Sequence, residues 1–261
     1  MSQFDDLQAF LAHARSTNTG SAGRALAAAP VLSLDEMRAR QTEQRHACWG
    51  LTAMRGRLVE ISGRGATAVL TTAAGIVVDA QTAGEPVVWV TLAHSTFFPP
   101  DLAASGVDLA ALVVVRVADR ATAMRAAERV LRSGAIGLVV IDLGAADEGP
   151  GVAQEPARRS RMAGSAGSAA MMQQMSGAAA TATHARLITL AQQHDAAVVC
   201  LTEKTTESTS LGSLVSLRAQ AVRKPATTGS DYFATIRVIK DKRRGPGFEA
   251  AEAVSLPAGM V

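Results

Sequence analysis

The chain has 261 residues, 48% of them apolar and only 3% aromatic, with a formal net charge of +3. That length is enough for one large or two small domains with a substantial core, and the apolar content excludes a disordered polymer. No apolar run reaches the ~18–20 residues of a membrane-spanning helix, and the acidic opening MSQFDDLQAF, with no basic stretch, lacks the pattern of a signal peptide.

Cys48 and Cys200 are far apart and have no metal-ligand spacing. They read as reduced, mostly buried thiols of a cytosolic protein. The charge is uneven. Between Arg218 and Arg244 eight basic residues face two acidic ones, a net +6, and a second cluster is Arg158, Arg159 and Arg161. Such concentration suits nucleic acid or an acidic protein partner. It equally suits a pair of solvated edge strands, which lysine and arginine commonly protect.

In chain order, residues 2–15 read as a short amphipathic helix. Ser2 and Asp5 give a capping-box start, and Phe4, Leu7, Phe10 and Leu11 form one apolar stripe. The stretch STNTGSAG is a linker by composition, so that helix either packs back on the core or docks on a partner. Residues 33–47 read as a second, highly charged helix with Ser33 as cap and Glu36 closing the box. From Leu58 onward strand and helix alternate. Leu58–Ser62, Val87–Leu92, Leu112–Val117 and Gly137–Leu143 are continuous apolar runs, as expected for parallel strands buried on both faces. A helix capped by Asp119 and ended by Gly134 joins the last two, with Met124, Ala127 and Leu131 on its buried side. This alternation predicts a wound α/β domain with right-handed crossovers.

Residues 144–183, rich in Gly, Ala and Ser, break the alternation, though AAMMQQM within them has helical character. A helix over His184–His194 then leads to a strand at Ala196–Thr202. The remaining strands read as antiparallel: Ser213–Arg223, Tyr232–Lys240 and Phe248–Ser255, joined by turns rich in Pro and Gly.

The stretch Arg57–Leu70 has the strand–turn–helix frame of a phosphate-binding loop. Such a loop reads G-x-x-x-x-G-K-[ST]. Counting from Gly63 and passing Gly65, the last three places hold Ala68, Val69 and Leu70. The backbone-freeing glycine, the lysine and the metal-holding hydroxyl are all replaced, so the stretch is either a dead nucleotide site or a glycine-rich turn. Loss of the lysine alone removes a charge-assisted contact worth about 1.5–3 kcal/mol. Asp142 ends the apolar run GLVVID, the place where nucleotide-binding folds keep a metal-organising carboxylate. Without the loop's lysine and hydroxyl it has no phosphate–metal unit to serve, so no metal or cofactor is expected. The histidines show no paired ligand spacing, and no G-x-S-x-G nucleophile motif occurs.

From about Trp49 to the C-terminus, about four fifths of the chain, these blocks resemble the core of the RecA recombinase family. MRGRLVEISGRG resembles the strand entering that family's ATP loop. WVTLAHSTFFPPDLAASGVDLAALVVVR is similar to its second strand and following helix, with the turn Gly106–Asp108. AAERVLRSGAIGLVVID resembles its metal-site strand and the helix before it, and LITLAQQHDAAVVCLTEK the strand leading to its second DNA loop. SLGSLVSLRAQAVRK and ATIRVIKDKRRGPGFEAAEAVSL resemble its closing strands and their basic turn.

The resemblance implies a RecA-like core over residues 49–261: a central, mostly parallel twisted sheet flanked by helices, with C-terminal antiparallel strands. Residues 1–48 form an N-terminal helical arm and linker, and the family's C-terminal domain is not expected. In this frame the family's water-activating Glu falls on His94, Arg158–Arg161 fall where its first DNA loop lies, and the second DNA loop, Lys204–Gly212, is short and not glycine-rich. Lys240–Asp241–Lys242 retains a basic turn that in the family reaches ATP across a subunit interface, and Lys240, Lys242, Arg243 and Arg244 join Arg158, Arg159 and Arg161 as candidate DNA or partner contacts. Val69 and Leu70 are expected to fill the former phosphate cavity. A RecA-like core with such a loop is most similar to the ImuA family of damage-induced mutagenesis. This resemblance implies a cytoplasmic, nucleoid-associated, non-enzymatic adaptor. Its partners would be RecA, an ImuB-like polymerase homologue and a DnaE-type error-prone polymerase, with DNA binding and homo-oligomers left open. Two alternatives are a single-stranded-DNA-binding RecA paralogue that modulates recombination and a SulA-like division inhibitor.

Overall fold

A computed structural model of the chain describes Ser33 and residues 49–65, 67–93, 95, 97–145, 166–225 and 232–254. The chain divides into two compact units, Met1–Gln41 and Thr42–Val261; the architecture below is that of the second. The expected helices at 2–15 and 33–47, with the stripe Phe4, Leu7, Phe10 and Leu11, lie outside the described residues apart from Ser33. So do Cys48, His94 and the cluster Arg158, Arg159 and Arg161.

Apolar runs rich in Val, as in VVWVTL, LVVVRV and LVVI, set several of the strands. β1 (Arg57–Gly63), β2 (Val87–Leu92), β3 (Leu112–Val117), β4 (Leu138–Ala145), β5 (Ala197–Glu203), β6 (Leu217–Pro225), β7 (Tyr232–Asp241) and β8 (Glu249–Val254) form one sheet in the order β3-β2-β4-β5-β1-β6-β7-β8. The five pairings from β3 to β6 are all parallel, and β7 and β8 turn antiparallel. Every residue of β1 and β2 is buried, which explains why their sequences are continuous rather than alternating. β3 departs from that expectation. It is an edge strand, and Val113 and Val114 are exposed.

The helices are α1 (Leu51–Met54), α2 (Val69–Thr82), α3 (Pro99–Ala104), α4 (Arg120–Leu131) and α5 (Ala166–Gln193). α2 buries Val69, Ala73, Ile76, Val77 and Ala80, an apolar stripe at helical spacing. It packs on one face with Val59, Ile61, Trp89 and Leu217. α4 and α5 cover the other face, around Leu58, Val90, Ile141 and Cys200. Asp119 caps α4 by accepting from the Thr122 backbone N–H at 2.8 Å. Gly134 just beyond it has φ 69°, a left-handed conformation that favours glycine. The buried side of α4 is Ala123, Ala127, Glu128 and Leu131, with Met124 only partly buried. Burial pushes the Glu128 carboxyl up, but Arg186 on α5 and Arg132 outweigh it and hold it below the usual carboxylate range, so it ties the two helices together.

Two local expectations change. The helix placed at His184–His194 begins at Ala166, because the Ala-rich segment before it has strong helix propensity and no proline. The strand placed at Ser213–Arg223 starts at Leu217 and runs parallel to β1; only its other side, toward β7, is antiparallel. Short α1, too brief to leave a periodic signal, was not legible in the sequence. Among the described residues no helix is long and apolar enough to cross a membrane.

Candidate functional site

Parallel strands gather their C-terminal ends along one edge, where open α/β sheets keep their ligands. Here that edge carries the loop after β1, Asp142 of β4 and the segment after β5.

The β1–α2 loop is only five residues, Arg64 to Ala68. It leans on β6 through an isolated antiparallel bridge between Thr67 and Val222. The Ala68 N–H donates to the Ala221 carbonyl at 3.2 Å, and the Val69 N–H donates to Thr67 Oγ1 at 3.2 Å. Thr67 Oγ1 in turn lies 3.3 Å from the Ala221 carbonyl, to which it donates. Thus two backbone N–H groups at the start of α2, the groups that hold a phosphate when a helix N-terminus binds one, are engaged within the chain. Gly63 is required by close approach: a Cβ there would lie 2.4 Å from Thr67 Oγ1 and 2.6 Å from the Ala221 carbonyl oxygen. Ala68 and Val69 are buried, at 1% and 8% exposure, whereas Leu70 is 43% exposed. Of the two side chains expected to fill a cavity, only Val69 is turned inward. Helical rotation of 100° per residue turns Leu70 outward.

Asp142 is level with Leu201 of β5, which is level with Ile61 of β1. It thus stands two strand spacings, about 10 Å, from β1. It is buried and accepts from Thr91 Oγ1 at 3.2 Å, from Ser95 Oγ, and from the Gly144 N–H at 3.2 Å. Among the described residues no group of His, Cys, Asp and Glu is arranged to hold a metal ion. A cavity of about 290 Å³, lined by Leu51, Thr52, Arg55, Asp79 and Thr82, opens at the C-terminal end of α2, the far end from the loop.

The basic turn lies at the opposite end of the sheet. Asp241 pairs with Leu217, level with Val59 near the start of β1. Arg57, itself buried, donates to Asp241 Oδ1 at 2.5 Å, to the Ser216 carbonyl at 2.8 Å and hydroxyl at 3.0 Å, and to the Ala53 carbonyl at 3.2 Å. Burial pushes the Asp241 carboxyl up, but the Arg57 guanidinium and the Arg243 and Arg244 N–H groups hold it below the usual range. The β6–β7 register shifts between Arg218 and Ala219, leaving Ile239 unpaired. This bulge turns Lys240 toward the Arg218 side of the sheet, where burial, Lys242 and Arg218 lower its pKa against the opposing Glu60. Lys242 Nζ donates to the Ser213 carbonyl at 2.7 Å, while Lys242, Arg243 and Arg244 remain exposed. β6 and β7 are interior strands, so the edge-protection reading of these cations fails; Arg218 is 4% exposed and ion-paired.

Sequence reasoning missed Glu60. It is fully buried in β1, on the α5 side, and meets Lys204 of the segment after β5 and Arg218 of β6. A carboxylate set between Val59 and Ile61 in mid-strand was the signal, since such a group stays buried only with partners.

No curated protein matches the chain. The model of the RecA N-terminal domain matches residues 35–257, which takes in the strand, loop, Asp142 and basic turn described above. The chain belongs to the RecA N-terminal domain family.

Proposed function

We propose that this chain is a RecA-like adaptor that does not turn over ATP and acts through protein contacts in bacterial DNA-damage tolerance and error-prone translesion synthesis. Family membership supports a role in recombination or the response to DNA damage. One observation supports the absence of ATP turnover; the partners rest on the resemblance alone. At the nucleotide loop, the Ala68 and Val69 N–H groups are spent on Ala221 and Thr67, and Thr67 and Val69 side chains stand against Gly63. The position of the loop lysine holds buried Val69, which offers no charge to a phosphate. Isothermal titration with Mg·ATP tests this. The expected result is no binding up to millimolar nucleotide, and micromolar affinity would overturn the reading.

The partners this reading names are RecA, an ImuB-like polymerase homologue and a DnaE-type polymerase. Pull-down with each, repeated after deletion of residues 1–20, separates an interface on the N-terminal segment from one on the core. Direct DNA binding is a second reading, favoured by the exposed side chains of Lys242, Arg243 and Arg244 on one turn. Fluorescence anisotropy with single-stranded DNA at two salt concentrations tests it, because phosphate contacts weaken steeply with salt. Absence of binding at low salt would remove it.

A further inference from the structure

The segment after β5, Lys204–Leu211, has no regular secondary structure, and its Thr205–Ser210 portion is entirely polar. Apart from Leu211, which packs against the core on the α5 side, hydrophobic burial does little to hold it. Its ties instead converge on one carboxylate. Glu60 Oε1 pairs with Lys204 Nζ and accepts from Thr202 Oγ1 at 3.0 Å. Glu60 Oε2 accepts from the Leu211 N–H at 2.8 Å and lies 3.9 Å from Arg218 Nε. The two cations then hold the segment by its carbonyl groups: Lys204 Nζ donates to Thr209 at 2.7 Å, and Arg218 donates to Ser208 and, at 3.0 Å, to Thr205.

The charge balance makes this arrangement conditional. A single carboxylate faces Lys204 and Arg218, both nearly buried, with Lys240 of β7 and His184 of α5 also within its field. Arg218 Nε has no hydrogen-bond partner of its own. Burying two cations is tolerable only while a counter-charge is present, and removing it strands both. The stranded groups regain solvation only by moving outward, and the carbonyl groups bound to them belong to the segment. Backbone packing adds one hinge-like restraint at the segment's end, where Gly212 sits against His184; a Cβ at Gly212 would lie 2.8 Å from His184 Nδ1.

We propose that Lys204–Leu211 is a latched arm with a closed and an open state, and that the Glu60 charge is the latch. The closed arm covers Lys204 and Arg218 at the same sheet edge that carries the β1–α2 loop. The open arm uncovers both cations there. This device goes beyond the adaptor reading and does not depend on whether nucleotide binds.

Hydrogen–deuterium exchange on the full chain tests it. In Glu60→Gln, a near-isosteric change that removes only the charge, peptides over 205–211 should exchange at least about tenfold faster, while Val139–Ile141 in β4 stay within about twofold of wild type. Unchanged exchange over 205–211 would overturn the proposal, as would equal acceleration of β4, which would make the arm inseparable from the global fold. Wild-type protein gives an independent reading. In sub-denaturing urea the Leu211 amide should exchange through an opening of lower energy than that of the β4 amides. Exchange of both through the same global unfolding would overturn the proposal even if Glu60→Gln failed to fold.

Discussion

Asp241→Ala is the sharpest test of how the basic turn is held. The substitution removes the carboxylate partner of Arg57 and leaves that guanidinium in place, with side-chain exposures of 3% for Arg57 and 5% for Asp241 in the intact pair. Breaking a buried pair from one side costs about 3–5 kcal/mol, because the remaining charge is uncompensated. Arg57 keeps three neutral acceptors, the Ser216 carbonyl and hydroxyl and the Ala53 carbonyl. The expected loss therefore sits at the lower end, about 3 kcal/mol. For a domain of this size that lowers Tm by about 6–12 °C. Urea unfolding followed by circular dichroism measures it, with Arg57→Met and the double variant completing a cycle. The double variant should cost at least about 1 kcal/mol less than the sum of the singles, since neither charge is then stranded. An Asp241→Ala cost under about 0.5 kcal/mol, the range of ordinary surface changes, would refute the reasoning. Strict additivity would do the same.

Three further outcomes follow from the same geometry. Gly63→Ala should destabilise by about 1–3 kcal/mol, the usual cost of overpacking, because the new Cβ meets a backbone carbonyl as well as Thr67; an unchanged unfolding midpoint would count against the tight loop. Val69→Ala should cost about 1–2 kcal/mol while Leu70→Ala stays within about 0.5 kcal/mol, and equal effects in chemical denaturation would contradict their opposite exposures. The pH dependence has a definite sign. Burial lowers the His184 pKa against the opposing charge of Glu60, so the folded state favours neutral imidazole; its contribution is complete above the unfolded value and is lost as pH falls below about 6.5. Asp241 adds a second loss below about pH 4, because its folded pKa is depressed. Stability measured against pH should show the upper step flattened in His184→Gln and the lower step reduced in Asp241→Asn.

The sequence by itself determined the strands and their class. β1, β2 and β4 fall where their apolar runs lie, since a strand buried between helices has no polar face to interrupt the pattern. It also determined the cap at Asp119, where a short side chain meets the first unsatisfied N–H groups of α4, and the chemical emptiness of the loop positions held by Ala68, Val69 and Leu70. Strand order was another matter. Nothing local says that β6 lies parallel beside β1, because pairing is decided by how the whole sheet closes over α2 and α5. Only the tertiary structure put Gly63 and Asp142 at one end of the sheet and the basic turn at the other. Nor did residue types reveal how the cations are used. Arg57, Lys204 and Arg218 are spent on Asp241 and Glu60, partners up to 184 positions away in the chain. Long-range pairing of this kind leaves no periodic trace, and its one sequence sign is a carboxylate set in a strand that buries every residue around it.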